Sequence, residues 1–398
     1  MLAIVAPGQG SQVPGFLSPW LDLDCGGQSV AERLAWWTTV TGIDLLAAGT
    51  TDSADTIRDT QVAQPLLVAC GLATAGVLFG GADPSDLAAV VAGHSVGELT
   101  AAAIAGAITD ESALALVAER GRAMAAAAAA TPTTMAAVLG GDAEVVLAKL
   151  AELGLTAANR NGAGQIVAAG TVQQVDALLA DPPAGSRVRP LQVAGAFHTE
   201  HMAPAVDRLA AVAAGVEADK PRTVLLSNAD GGAVTGPEDL LDRLVAQVSA
   251  PVRWDLCTAA LASYGITGVL ELGPGGTLTG LLKRALPGVD LVALKSPDDL
   301  DAAHALIDRH TTPHAAVEPS PTNWRLLVAP SGGTFHPVAA EPGTVLEAGA
   351  TLGIVQGRRE STTVASVHAG VLLEWLAQEG DPVSEGQPVA RVYAGAGA

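Results

Sequence analysis

Val90-Val91-Ala92-Gly93-His94-Ser95-Val96-Gly97-Glu98 is the stretch that decides the fold. An apolar run from Ala88 to Ala92 ends in a Gly-x-Ser-x-Gly turn, and an Ala-rich helical stretch, Glu98 to Ala107, follows at once. The flanking glycines permit a cramped strand-to-helix turn that exposes the Ser95 hydroxyl, with the next backbone N–H pointing at the same space. A helix N-terminus there also favours developing negative charge. Outward from this turn the alternation continues. Short apolar runs (Leu2 to Ala6, Val224 to Ser227, Gly268 to Leu272) and helical stretches such as Ala113 to Ala130 predict an α/β domain with a largely parallel sheet. Between Thr131 and Val193 the pattern becomes strand, helix, strand, helix, strand: Met135 to Leu139, Ala143 to Leu153, Ile166 to Ala169, Val172 to Leu179 and Arg187 to Pro190. This predicts a small α+β subdomain inserted at about residues 131–194.

Thr311 to Asn323 is Pro-rich, lacks a hydrophobic period and reads as a linker. From Trp324 to about residue 394 a different module is expected, with short strands, turns rich in Gly, Pro and Asp, and a repeat of 37 residues. Glu341-Pro342-Gly343-Thr344-Val345-Leu346-Glu347-Ala348-Gly349 aligns with Gln378-Glu379-Gly380-Asp381-Pro382-Val383-Ser384-Glu385-Gly386. The same offset matches Gly333 to Gly370 and Val355 to Val392, so two similar halves should form one barrel.

The chain has 398 residues, 49% of them hydrophobic, enough for two or three domains. A net charge of -20, with only 21 scattered Lys and Arg, argues against nucleic acid as a partner. The stretch from Leu87 to Ile108 is rich in Ala and Gly and is interrupted by His94, Ser95 and Glu98, so it reads as strand and helix, not as a membrane span. Met1 to Val5 lacks the basic start and apolar core of a secretory signal. Cys25, Cys70 and Cys257 are odd in number and far apart, which fits neither a disulfide framework nor a metal clip and makes a reducing cytoplasm the expected setting.

A serine nucleophile needs a base at neutral pH. Of the eight histidines, five lie in or near the linker or in the C-terminal module, leaving His94, His198 and His201. His94 precedes the serine and should point away from it. His198 lies where the chain leaves the inserted subdomain and can line a cleft there; a lone histidine is otherwise a structural residue, and its pairing with Ser95 favours the base.

Taken together these residues resemble the malonyl-CoA:acyl carrier protein transacylase family. The matching pieces are Pro7-Gly8-Gln9-Gly10-Ser11-Gln12, Gly93-His94-Ser95-Val96-Gly97-Glu98, Glu119-Arg120-Gly121-Arg122-Ala123-Met124, Asn159-Arg160-Asn161-Gly162, Gly195-Ala196-Phe197-His198, Pro251-Val252-Arg253-Trp254 and Glu271-Leu272-Gly273-Pro274-Gly275. The resemblance covers residues 1 to about 310. It implies a large α/β-hydrolase-like domain with a ferredoxin-like insertion, and a malonyl group moved from malonyl-CoA to a phosphopantetheinylated acyl carrier protein without a bound cofactor. It further implies that Ser95 is acylated, that His198 takes its proton, and that the N–H groups of Gln9 and Val96 form the oxyanion hole. A backbone carbonyl near Gln247 would orient the histidine. Arg120 would clamp the malonyl carboxylate, with a helix-surface salt bridge as its alternative fate. Phe197 would crowd an α-methyl group and favour malonyl over methylmalonyl. Because such carrier proteins are usually acidic, docking to this acidic chain needs a local basic patch, with Arg187, Arg189, Lys283 and Arg284 as candidates or else part of a mixed surface.

The repeat resembles biotinyl and lipoyl carrier domains, flattened β-barrels with one modifiable lysine. Arg359 takes that lysine's place, and no Lys follows Lys295, which excludes a working carrier arm. Two uses remain open: docking to a biotin-dependent carboxylase component that makes malonyl-CoA, or a degenerate remnant adding stability. For the whole chain, a serine esterase or thioesterase and a non-catalytic scaffold are the competing readings. The α/β-hydrolase order would place an acid after the serine and a late histidine, and here no motif specifies an acid.

Overall fold

The computed structural model describes residues 1–193, 195–311, 324–338, 340, 344–357, 360–366 and 370–394. The chain divides into two compact units, Met1–Ala315 and Ala316–Ala398. Most of the expected linker, residues 312–323, lies outside the described residues, as does Arg359.

Nine strands are described in the first unit: β1 (Leu2–Ala6), β2 (Val90–Gly93), β3 (Thr133–Gly140), β4 (Thr156–Gly162), β5 (Gln165–Thr171), β6 (Ser186–Pro190), β7 (Val224–Leu226), β8 (Gly268–Glu271) and β9 (Asp290–Ala293). Five of them form a parallel sheet in the order β7-β2-β1-β8-β9. Successive side chains of a strand leave opposite faces, and β1 shows the result: Leu2 and Ile4 enter one buried apolar cluster, Ala3 and Val5 another. Covered on both faces, β1 and β2 are apolar throughout, which is why both were readable as short hydrophobic runs.

The helix Thr60–Phe79 is the one described helix long and apolar enough to cross a membrane, and 83% of that apolar stretch is buried within the protein. It is the core helix of this unit. The stretch Leu87 to Ile108, expected from sequence to be strand and helix, forms the end of a short helix, strand β2, the turn and the helix Gly97–Ile104. Beside the core helix lies Asp110–Ala130, whose start is capped by Thr109 Oγ1 accepting the Ser112 N–H at 3.1 Å.

The insertion forms an antiparallel sheet in the order β4-β5-β3-β6, in a β-α-β-β-α-β chain order. One face, with Ala136, Val138 and Ala168, packs on Val146, Leu150, Val175 and Leu178 from the two helices. The opposite face carries Met135, Ala137 and Val167. Strand β4 was not expected from sequence. Its residues, Thr-Ala-Ala-Asn-Arg-Asn-Gly, carry no apolar alternation, because it is an edge strand whose pairing with β5 is broken by two register shifts.

The second unit contains β10 (Trp324–Val328), β11 (Gly333–Pro337), β12 (Val345–Leu346), β13 (Thr351–Gln356), β14 (Ser361–Ala365), β15 (Gly370–Trp375), β16 (Pro382–Val383) and β17 (Pro388–Ala394). The first four strands reappear 37 residues later as the last four. Exchanging each strand for its counterpart turns the sheet β10-β17-β15-β12 into the other sheet, β14-β13-β11-β16. Core positions obey the same offset: Leu327 and Val364, Phe335 and Leu372, Leu352 and Val389, Val355 and Val392 are all buried together. Gly349 and Gly386, also 37 apart, both take a left-handed backbone, with φ of 86° and 81°.

Candidate active site

Ser95 sits one residue beyond His94 where β2 gives way to the helix Gly97–Ile104, at the carboxyl edge of the parallel sheet, where open α/β sheets place their sites. Its φ of 53° is left-handed, a conformation that costs a non-glycine residue on the order of 1 kcal/mol. The turn is closed around it. Ser95 N–H donates to Asn228 Oδ1 at 2.7 Å, and Glu98 N–H donates to the Ser95 carbonyl at 2.9 Å. A Cβ on Gly93 would lie 2.1 Å from the Gly97 carbonyl, and one on Gly97 2.3 Å from the Ala6 carbonyl oxygen. Only glycine fits either position, which is the local steric reason for the motif.

Among the described residues only three non-glycines have positive φ, and His198, at 61°, is another of them. Such strain concentrates at functional sites. The His198 loop is pinned by Thr199 Oγ1 donating to the Ala196 carbonyl at 2.7 Å and by the Ala196 N–H donating to Thr133 Oγ1 at 2.9 Å. His198 Nε2 stands 2.7 Å from Ser95 Oγ, and Nδ1 stands 2.9 Å from the Gln247 carbonyl oxygen. A carbonyl can only accept, so Nδ1 carries the hydrogen and Nε2 of the neutral ring accepts from the serine hydroxyl. Burial first, and the nearby Arg120 charge second, press the imidazole down to a pKa of about 3, so it is neutral at pH 7.

Arg120 lies on the inward face of the helix Asp110–Ala130 and is 2% exposed, so the surface salt bridge weighed above is not its fate. It donates to Gln64 Oε1 at 2.6 Å, to Gln247 Oε1 at 2.8 Å and to Ser95 Oγ at 3.3 Å. All three acceptors are neutral. Burial lowers its pKa to about 10, against the pull of Glu98, and the guanidinium stays charged. Glu98 is buried as well: desolvation raises its carboxyl above the ordinary value while the Asn228 N–H and Arg120 pull it back, and both of its oxygens accept N–H donors, from Asn228 and Gln247, as an ionised carboxylate does.

A cavity of about 610 Å³ opens beside the serine, lined among others by Gln9, Arg58, Ser95, Asn161, Phe197 and His198. Its size suits a small-molecule arm. The Gln9 and Val96 backbone N–H groups donate to no acceptor among the described residues. His94 points elsewhere, its Nε2 2.9 Å from Asn161 Oδ1 and its ring packed on Trp254.

Of the basic candidates, Arg189 pairs across strands with Ala137, and Ala137 pairs with Val167; both of those residues line the cavity, so Arg189 shares their face of the small sheet. Arg187 shares that face too, opposite Leu139. Lys283 and Arg284 are exposed near the end of the helix Thr277–Ala285, whose Thr277, Leu278 and Leu281 line the cavity. Among the described residues none of these four has an ion-pair partner. Among the same residues no group of three or more His, Cys, Asp or Glu could hold a metal ion.

Sequence reasoning missed Gln64, Asn228 and the part played by Glu98. Gln64 offered a signal, an amide side chain set among the apolar residues of a helix and 2% exposed once folded. Asn228 offered none, since it stands in an ordinary loop after β7.

The acyl transferase domain family matches residues 4–293. The malonyl CoA-acyl carrier protein transacylase of Mycobacterium tuberculosis strain H37Rv is 52% identical over 301 residues, covering 76% of this chain and 98% of that protein. A crystal structure of the M. tuberculosis enzyme superposes with a TM-score of 0.71 at 51% identity, over 76% of this chain and 98% of its own. A malonyl-transacylase solved in complex with its type II PKS acyl-carrier protein is 31% identical, with a TM-score of 0.68, over 76% of this chain and 98% of that one.

Proposed function

This chain belongs to the malonyl CoA-acyl carrier protein transacylase family, and on that premise we propose that Ser95 is its nucleophile and His198 its general base. The protein transfers a malonyl group from malonyl-CoA to acyl carrier protein in fatty acid synthesis. The observation that carries the assignment is the Ser95 hydroxyl held 2.7 Å from a neutral imidazole and 3.3 Å from a buried, charged guanidinium. A hydrolase needs the first contact, and a malonyl transferase also profits from the second.

In the first half-reaction His198 Nε2 takes the hydroxyl proton as Ser95 Oγ attacks the thioester carbonyl of malonyl-CoA. The oxyanion is received by the unpartnered N–H groups of Gln9 and Val96. Collapse breaks the C–S bond, the imidazolium returns the proton to the coenzyme A sulfur, and malonyl-Ser95 remains. The phosphopantetheine thiol of the carrier protein repeats the sequence in reverse, giving its proton to His198 and leaving Ser95 free. Arg120 binds the malonyl carboxylate throughout. Gln247 holds the imidazole tautomer through its backbone carbonyl, and Phe197 restricts the space beside the α-carbon. Arg187, Arg189, Lys283 and Arg284 give an acidic carrier protein a basic rim in a chain of net charge -20. Three free, buried cysteines fit a reducing cytoplasm.

Intact-protein mass after incubation with malonyl-CoA tests the core of this reading. A malonyl adduct should form on the wild type, move to phosphopantetheinylated carrier protein, and be absent from Ser95→Ala. An adduct that persists in Ser95→Ala, or one released to water as fast as to the carrier, overturns it.

For the C-terminal unit the strand exchange and the repeated core support a biotinyl/lipoyl-like barrel without the attachment lysine. The partner we assign it is a biotin-dependent carboxylase component. Capture of that component from solution should be lost when residues 324–398 are deleted, and undiminished capture refutes the assignment.

A further inference from the structure

Glu98 closes the motif that carries the nucleophile, and its side chain reaches back into the catalytic unit. Its Oε1 accepts the Asn228 N–H at 2.6 Å, and its Oε2 accepts from Gln247 Nε2. Asn228 in turn accepts the Ser95 N–H through Oδ1 and donates through Nδ2 to the Gly93 carbonyl at 2.7 Å. The carboxylate therefore joins the nucleophile's turn to the residue that orients the base.

Gln247 is the hinge of this arrangement. Its backbone carbonyl accepts from His198, while its side-chain amide lies between two charged groups. An amide has one donating end and one accepting end; a carboxylate only accepts and a guanidinium only donates. With Nε2 toward Glu98 and Oε1 toward Arg120, both ends are satisfied. The reversed amide would satisfy neither. The spacer also has an electrostatic effect, since a direct carboxylate on Arg120 would compete with any carboxylate brought by the substrate. Here the compensating charge stands one amide away, and every group touching the guanidinium is neutral.

We propose that Glu98 is a positioning residue for acyl selection: by fixing the Gln247 amide it orients Arg120 while leaving the arginine's charge available to the carboxylate of the acyl group. This rests on the assignment of Arg120 as the malonyl clamp. In Glu98→Gln, one end of the new amide keeps the Asn228 N–H and the other turns N–H groups toward Gln247, which must then flip and present its own donor to Arg120.

The test compares kcat/KM for malonyl-CoA and acetyl-CoA, with the phosphopantetheinylated carrier as acceptor, in full-length wild type, Glu98→Gln, Gln247→Met, the double variant and Arg120→Ala. The malonyl-to-acetyl ratio should fall roughly 10- to 100-fold in Glu98→Gln, the range for losing one charge-assisted hydrogen bond. Gln247→Met keeps the backbone carbonyl and removes the amide, and it should lower the ratio similarly. The double variant should then show no further fall, because the route from Glu98 to Arg120 runs through that amide. A merely structural role would reduce both substrates together and leave the ratio unmoved. If Glu98→Gln does not fold, Gln247→Met alone decides: an unchanged ratio overturns the proposal. Arg120→Ala separates the two levels. A ratio unchanged there sinks the clamp itself, whereas a ratio that falls in Arg120→Ala and holds in folded Glu98→Gln sinks only the role of Glu98.

Discussion

Replacing Gly97 by alanine would test how closely the nucleophile's turn is fitted to the strand beside it. An alanine Cβ would stand 2.3 Å from the Ala6 carbonyl oxygen, 2.8 Å from that of Pro7 and 2.9 Å from the Ala6 carbonyl carbon. All three are backbone atoms, so no side chain can swing aside. Reaching even 3.0 Å requires the end of β1 and the start of the helix Gly97–Ile104 to separate by about 0.7 Å. That separation pulls apart the two sides of the proposed oxyanion site, because Gln9 follows β1 and Val96 precedes the helix. Misplacement on the order of 1 Å costs about 10²-fold in rate, and loss of one oxyanion donor costs about 10² to 10³. The expected outcome is a fall of roughly 10²-fold in kcat for malonyl transfer, with about 1 to 3 kcal/mol lost from stability through overpacking. Initial rates with saturating malonyl-CoA and carrier protein, with urea unfolding of the same preparations, provide the assay. Gly280→Ala is the matched control. It lies inside the helix Thr277–Ala285 with nothing within 4 Å of the added carbon, and it should gain about 0.5 to 1 kcal/mol without changing kcat. A Gly97→Ala enzyme with wild-type stability and a kcat within threefold of wild type would refute the steric argument.

Phe197→Ala opens the cavity wall beside His198, and the methylmalonyl-to-malonyl ratio of kcat/KM should rise roughly 10- to 100-fold, the ~1 to 3 kcal/mol that one pocket contact supplies; competition between the two thioesters measures it. His198 is held neutral with its pKa near 3 rather than 6.5, so below pH 6.5 the unfolded chain binds a proton that the native site refuses. The stability from the neutral ring is complete above pH 6.5 and is lost as pH falls toward 3, at up to ~1.4 kcal/mol per pH unit. The unfolding free energies of wild type and His198→Ala should therefore converge between pH 6 and pH 4, and parallel curves would show that the ring is not held neutral. Arg187→Glu with Arg189→Glu should raise KM for carrier protein and flatten its dependence on salt, while malonylation of Ser95 by malonyl-CoA followed by mass keeps its wild-type rate.

What was legible in the sequence is what local sterics or an internal repeat enforce. Gly93 and Gly97 had to be glycine because the turn brings their Cα atoms against backbone, and that need shows in the Gly-x-Ser-x-Gly spacing before any tertiary contact is known. The strands of the second unit were implied by the 37-residue offset, because equal sequences at equal spacing bury equal positions, such as Phe335 and Leu372. The apolar runs of β1 and β2 announced a sheet covered on both faces. The hydrogen-bond network around the proposed nucleophile left no such trace. Ser95 is 103 residues from His198, 133 from Asn228 and 152 from Gln247. These groups meet because the loops at the carboxyl edge of one parallel sheet converge there, and nothing in a local pattern records which loops those are. Burial made the same difference to Arg120 and Glu98: as letters they are a helical arginine and an acidic residue in the first turn of a helix, and only the surrounding core sets one as a desolvated cation and the other as its distant counter-charge.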